Sequence, residues 1–249
     1  MSGHSKWSTI KRQKGVNDAK RGAMFTKVAR EVMVAARAGG GDPDANYRLR
    51  LAIDKARSIN MPADNIKRAI EKATGAGGDI EYEEIVYEGY GPGGVAVLVE
   101  TATDNRNRTA AEVRSIFTKS GGQLAGSGAV AWQFEVRGLI TVARAGVDPD
   151  EVALAAIDAG AADVDTETDP IEIYTEPADL ESVRKALDAA GVVVEGAENA
   201  MIPKQTTAVD ADHVRQVLRL IDLLEDIDDV QRVTSNAEIP DELMEEYAG

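Results

Sequence analysis

The sequence predicts an α+β protein: an N-terminal three-helix domain followed by two α/β domains, the last ferredoxin-like and inserted into a discontinuous middle domain. Three observations carry this expectation. Apolar residues recur with helical spacing as far as Gly75 and with the alternation of strands beyond it. From Val136 to Lys204 the pattern reads strand, helix, strand, strand, helix, strand, the ferredoxin-like order, complete in itself. A helix and a strand then follow with no local partner, so they are expected to fold back onto the middle domain. The boundaries that follow are a basic helical domain with a mobile arm over 1–78, a discontinuous α/β domain over 79–135 plus 205–238, a ferredoxin-like domain over 136–204, and an acidic tail over 239–249.

The residues before Asn17 have too few apolar groups to join a core and read as the arm. Asn17 or Asp18 can cap a first helix that runs to Ala38, where Gly39-Gly40-Gly41 stops it. At about 100° per residue, Met24, Phe25, Val28, Val32 and Ala35 share one side, and Lys20, Lys27, Arg30 and Arg37 share another. A second helix starts near Asp44 and carries Tyr47, Leu51, Ala52 and Ile59. A third follows Pro62, a residue suited to a first turn, with Ile66, Ile70 and Ala73 inward. Past Gly75, "EEIVYEGY" and "VAVLVETAT" read as strands joined by a turn at "GPGG". "TAAEVRSIFTKSGG" reads as a helix, with Thr109 and Glu112 matching a capping box. "AVAWQFEV" reads as a further strand, in which Trp132 and Phe134 share the core face. The last helix is "DADHVRQVLRLIDLLEDI" and the last strand "DVQRVTSN".

Composition excludes several classes. The 249-residue chain has 43% hydrophobic residues, enough for packed cores, and no stretch approaches the about 20 apolar residues of a membrane helix. It has no Cys, which removes disulfides, thiolate nucleophiles and Cys-based zinc sites and fits a reducing compartment. A soluble, cytoplasmic protein with no membrane partner is expected. The formal charge of −15 hides a division. Through Gly75 there are sixteen Lys+Arg against seven Asp+Glu, a charge of +9; the remainder has twelve against thirty-six, a charge of −24. Such a swing marks a basic part that meets nucleic acid and an acidic part that stays away from it.

Catalytic constellations are sparse. Gly89, Gly91 and Gly94 match G-x-G-x-x-G, but Pro92 interrupts them and a strand follows, so a hairpin turn is expected in place of a dinucleotide site. The two histidines, His4 and His213, lie far apart, and no nucleophile elbow or metal-ligand spacing frames either. Acid pairs such as Asp148/Asp150 and Asp163/Asp165 sit among many solvated acids. The expectation is a non-enzyme with no cofactor and no metal.

The binding candidates are cationic. Lys6, Lys11, Arg12 and Lys14 are expected to touch phosphates from the arm, with Lys20, Lys27, Arg30 and Arg37 forming a fixed basic face behind it and Arg21 a further nucleic-acid-binding candidate. Trp7 lies among the arm cations and either stacks on a base or staples the arm to the helices. "TDNRNR" joins a strand end to a helix start, where N–H groups attract anions. Arg106 and Arg108 there either add phosphate contacts or belong to a polar capping turn.

"GHSKW", "ARAGGGDPDAN", "MPADNIKRAIEKATG", "YEGYGPGG", "TDNRNRTAAEVR" and "GSGAVAWQF", in this order, resemble the YebC/PmpR family. The resemblance spans the chain and is densest up to Phe134. It implies a helical N-terminal domain and two α/β domains, the middle one discontinuous. It implies a regulator of gene expression: bacterial members are described as probable transcriptional regulators that bind DNA, and a mitochondrial relative activates translation. Some bacterial members are linked to relieving ribosomes stalled at proline runs. The expected partner is therefore nucleic acid, either DNA or ribosomal RNA/tRNA, with the ribosome as an alternative setting. An acidic scaffold or chaperone is the contrasting class. No oligomeric state follows from the sequence.

Overall fold

The computed structural model describes residues 18–75 and 82–248. The expected arm, with Lys6, Trp7, Lys11, Arg12 and Lys14, lies outside the described residues, as do the side chains of Lys20 and Arg21.

The head is built from α1 (Asp18–Gly39), α2 (Tyr47–Ser58) and α3 (Ala63–Thr74). Val28, Val32, Ala35, Leu49, Ala52, Ile53, Ile66 and Ala69 form its buried core, so the apolar stripes of all three helices meet. Asn46 joins α1 to α2. Its Oδ1 accepts from Leu49 N as the N-cap of α2, and its Nδ2 donates to Ala35 O and Gly40 O at the end of α1. The Asn46 amide lies 2.7 Å from where a Cβ on Gly39 would stand, so only glycine fits there.

The middle domain contains β1 (Glu83–Tyr90), β2 (Ala96–Thr103), α4 (Arg106–Lys119) and β3 (Gln123–Leu124). β1 and β2 form an antiparallel hairpin closed by a 3-10 turn at Pro92–Gly94, where Gly93 has φ +71°; this is the turn expected in place of a dinucleotide loop. The chain then leaves for the third domain and returns as α7 (Ala211–Glu225) and β9 (Val230–Ser235). β9 pairs antiparallel with β2, giving sheet order β3-β1-β2-β9. Val214, Val217, Leu218, Ile221 and Leu224 of α7 pack with Val97, Val99, Val113 and Phe117 in one core. The middle domain is thus discontinuous, and most of this core arrives after the insertion.

The third domain runs β4 (Phe134–Val142), α5 (Pro149–Asp158), β5 (Asp163–Asp165), β6 (Ile171–Thr175), α6 (Leu180–Ala189) and β7 (Val194–Pro203). Its antiparallel sheet has order β5-β6-β4-β7, the ferredoxin-like arrangement.

Four local expectations are corrected. "AVAWQFEV" is not a separate strand: Ala131–Gln133 is a 3-10 turn, and β4 runs unbroken from Phe134. The turn breaks the two-residue alternation, so Trp132 is 68% exposed while Phe134 is buried. Thr109 does not cap α4. Asn105 does, accepting from Arg108 N, because the helix begins three residues earlier and Thr109 is drawn inward. The acidic tail expected over 239–249 is a structured part of the fold as far as Ala248. β8 (Thr207–Ala208) and β10 (Ala237–Glu238) pair in parallel, and α8 (Asp241–Ala248) follows. Leu243 and buried Met244 of α8 join the middle-domain core, because the apolar residues share one side among the acids.

Candidate nucleic-acid interface

The cations of the head divide between two helices. On α1, Lys27 donates to the Glu225 carbonyl at the end of α7. One turn on, Arg30 is buried, and its Nη1 donates to Ala102 O at 3.1 Å, Asp228 O at 2.7 Å and Asp229 Oδ1 at 2.9 Å. Its guanidinium also lies 5.0 Å from the Tyr82 ring centroid. The expected fixed basic face is therefore corrected at Arg30, which faces the middle domain instead of solvent. The helix has a second buried side because the returning segment of the chain covers it. Arg37, in the last turn, is exposed.

Asp229 is the centre of this junction. Besides Arg30, it accepts from Arg108 Nη2 at 2.6 Å, Thr109 Oγ1 at 2.6 Å and Thr103 Oγ1 at 3.1 Å. Burial pushes its carboxyl up, but the Arg108, Thr109 and Thr103 hydrogen bonds and the Arg30 charge pull it down further, so it lies below the ordinary range. Asp104 accepts from the same Arg108 nitrogen at 2.8 Å. At the α4 N-terminus, one of whose two sequence readings was an anion site, the Arg108 and Thr109 side chains hold an anion of the chain itself. Arg108 is committed to that carboxylate, whereas Arg106 points outward, 68% exposed and 3.5 Å from Glu83.

A second junction ties the head to both other domains. Lys55 of α2 meets Glu31 of α1 at 2.9 Å and Glu198 of β7 at 3.5 Å, and Arg232 of β9 pairs with the same Glu198. Burial raises the Glu198 carboxyl, yet Arg232 and Lys55 outweigh it and hold it down at about 2. Arg50 of α2 reaches Glu181 of α6 at 3.3 Å.

What remains open on the head is α3. Lys67, Arg68 and Lys72 are all exposed on it. Lys67 lies 3.8 Å from Glu71, whereas Arg68 and Lys72 make no hydrogen bond or ion pair with any described residue. Arg68 and Lys72 are four residues apart and share one side of the helix, opposite buried Ile66. Sequence reading passed over this pair because α3 was judged by its apolar side; the signal available was two cations at helical spacing. Among the described residues, no group of three or more His, Cys, Asp or Glu is placed to hold a metal. His213 is held by its own N-cap, with Nδ1 2.8 Å from Asp210 Oδ1. No helix among the described residues is long and apolar enough to cross a membrane.

A basic three-helix head clamped to a discontinuous α/β domain that carries a ferredoxin-like insertion defines the class of protein. The chain belongs to the TACO1/YebC family: residues 5–76 match the model of the family's N-terminal domain, and residues 82–237 match that of its second and third domains. It is 54% identical to a probable transcriptional regulatory protein of Herpetosiphon aurantiacus, over 100% of this chain and 99% of that one. It is 56% identical to a protein of the same description from Roseiflexus castenholzii, over 99% of each chain. Among solved structures it is similar to a conserved hypothetical protein from Aquifex aeolicus, with a TM-score of 0.86 and 46% identity, covering 90% of this chain and 93% of that one.

Proposed function

We propose that the protein is a nucleic-acid-binding regulator of gene expression that works without catalytic turnover. The observation that carries this reading is the charge division: +9 through Gly75 and −24 beyond it, on one chain. A polyanion is attracted by the first part and repelled by the second, so the head leads its approach. The clamp at Asp229 fixes the orientation of the head relative to the acidic body, with α3 exposed. The arm cations Lys6, Lys11, Arg12 and Lys14 supply further phosphate contacts. The description of the similar proteins as probable transcriptional regulatory proteins supports the regulatory part of the reading.

Contacts of this kind go to phosphates and carry little base code. The test is a salt titration of binding to duplex DNA and to single-stranded RNA. Each lost phosphate contact lowers the slope of log K against log salt by about 0.7 to 0.9, so Lys11, Arg12 and Lys14 changed together to Ala should reduce it by roughly 2 to 3. Failure of the wild-type protein to retain either nucleic acid at about 50 mM salt, where such binding is strong, would overturn the proposal. Crosslinking in cells, with sequencing of both nucleic acids, then assigns DNA or RNA.

A further inference from the structure

The segment 125–133 of the middle domain holds an exposed aromatic ring that neither the fold nor the charged head uses. Trp132 is 68% exposed, although large aromatic side chains are among the most buried on average. Its exposure is built in. Buried Glu88 accepts from Gly128 N at 2.6 Å and from Val130 N and Ala131 N at 2.8 Å, so one carboxylate fastens three successive parts of the loop. Val130 is fully buried against Ala96, Leu98 and Phe134, which fastens the loop from the apolar side. The 3-10 turn at Ala131–Gln133 then turns the indole outward.

The ring's polar edge is already satisfied. Trp132 Nε1 donates to Ala129 O at 3.1 Å, and Tyr90 Oη donates to the same carbonyl at 3.0 Å. Tyr90 is itself 39% exposed. Two exposed aromatics thus converge on one oxygen, with their hydrogen-bonding ends turned inward and aromatic surface left to solvent. Lys204 Nζ donates to Trp132 O at 2.9 Å, which places an exposed ammonium beside the pair. Gly126, Ser127 and Gly128, on the near side, are exposed and small, so a backbone can approach closely.

We infer that Trp132, with Tyr90 and Lys204 beside it, is a stacking platform for an unpaired base of single-stranded nucleic acid. This rests on the proposed nucleic-acid function and adds the form of the ligand. A ring whose N–H is spent internally recognises by its face, and every base offers a matching π-face. The ammonium suits the phosphate next to the stacked base. A base inside a duplex is already stacked and cannot reach the ring without being turned out, so the platform selects single strands. It also gives the acidic body one place where attraction does not depend on net charge. A protein partner would need a pocket for the indole and donors or acceptors at its edge, and that edge is occupied.

The experiment measures binding of the full chain to a 12-nucleotide poly-U RNA and to a duplex DNA of the same length, for wild type, Trp132→Ala and Trp132→Phe. Tryptophan fluorescence is recorded throughout. The ring is exposed, so Trp132→Ala should keep its melting temperature. Its affinity for the RNA should fall about fivefold to a hundredfold, with Trp132→Phe between, while duplex affinity stays unchanged. RNA should quench wild-type fluorescence more than that of Trp132→Phe. Equal RNA affinity and equal quenching across the three proteins, with binding intact, would overturn the platform and leave the nucleic-acid reading standing. Binding of neither ligand by wild type would overturn both. An unstructured peptide that quenches Trp132 where the RNA does not would reassign the surface to a protein.

Discussion

Lys27 and Arg30 of α1 resemble Arg68 and Lys72 of α3 in the sequence: cations on the polar side of an amphipathic helix in a basic region. In the fold they differ. The α1 pair reaches the Glu225, Ala102 and Asp228 carbonyls and the Asp229 carboxylate, whereas the α3 pair has no described partner. A cationic stripe therefore reports only that a helix side is not its own domain's core. Whether it serves packing or a ligand depends on what comes to cover it. Here the cover is β9 and the end of α7, close to 200 residues further along the chain.

The comparison breaks most visibly at Asp229. Changing Asp229 to Ala leaves Arg30 buried without its charge partner and should cost about 3–5 kcal/mol, the usual penalty for an orphaned buried charge. Equilibrium denaturation of the full chain measures this. A loss below about 1 kcal/mol would mean that Arg30 can escape to solvent and that the two helices do not differ after all.

Glu88 tests whether the middle domain holds its loop as firmly as it holds the head. Glu88→Gln replaces a carboxylate that accepts three N–H bonds and should cost about 1.5–3 kcal/mol. Burial raises this carboxyl, and the three backbone donors lower it by more, so its pKa sits below the ordinary value. Its contribution is present above the unfolded value of about 4.3 and is lost as pH falls through the lower folded value. Wild-type stability should decline over that acidic window. In Glu88→Gln this component should be missing, as denaturation at stepped pH would reveal.

Alanine at Lys67, Arg68 and Lys72 sharpens the contrast from the other side. Stability should stay within about 0.5 kcal/mol, because the side chains are exposed and lack strong partners. The salt slope of nucleic-acid binding should fall by roughly 2 to 3 if all three meet phosphates. Lys27→Ala in the same titration should leave the slope unaltered. A small effect is likewise expected for Arg106→Ala. Its ion pair with Glu83 is exposed and should contribute less than about 1 kcal/mol, against the much larger loss at Asp229.

Much of this architecture was legible in the chain. Apolar spacing located α1, α2 and α3, and the order of elements between β4 and β7 named the ferredoxin-like unit. The unpartnered last helix and strand pointed back to the middle domain, where β9 indeed pairs with β2. The candidate site was less legible. Arg30 and Arg108 looked available because their common partner, Asp229, is far from both in sequence and is one acid among forty-three. Trp132 looked buried because alternation was carried across a residue triplet that forms a 3-10 turn.

By itself the sequence determined the helices and strands, their apolar sides and the basic-to-acidic division, because these depend on spacing and composition within short windows. Only the tertiary structure decided which charges are spent and which are offered. That choice depends on contacts such as Arg30–Asp229, Lys55–Glu198 and Glu88 with Val130 N, which join residues from 42 to 199 positions apart. No local pattern encodes such pairs. They arise when the domains close on one another, and each buried carboxylate is then satisfied by donors from distant parts of the chain.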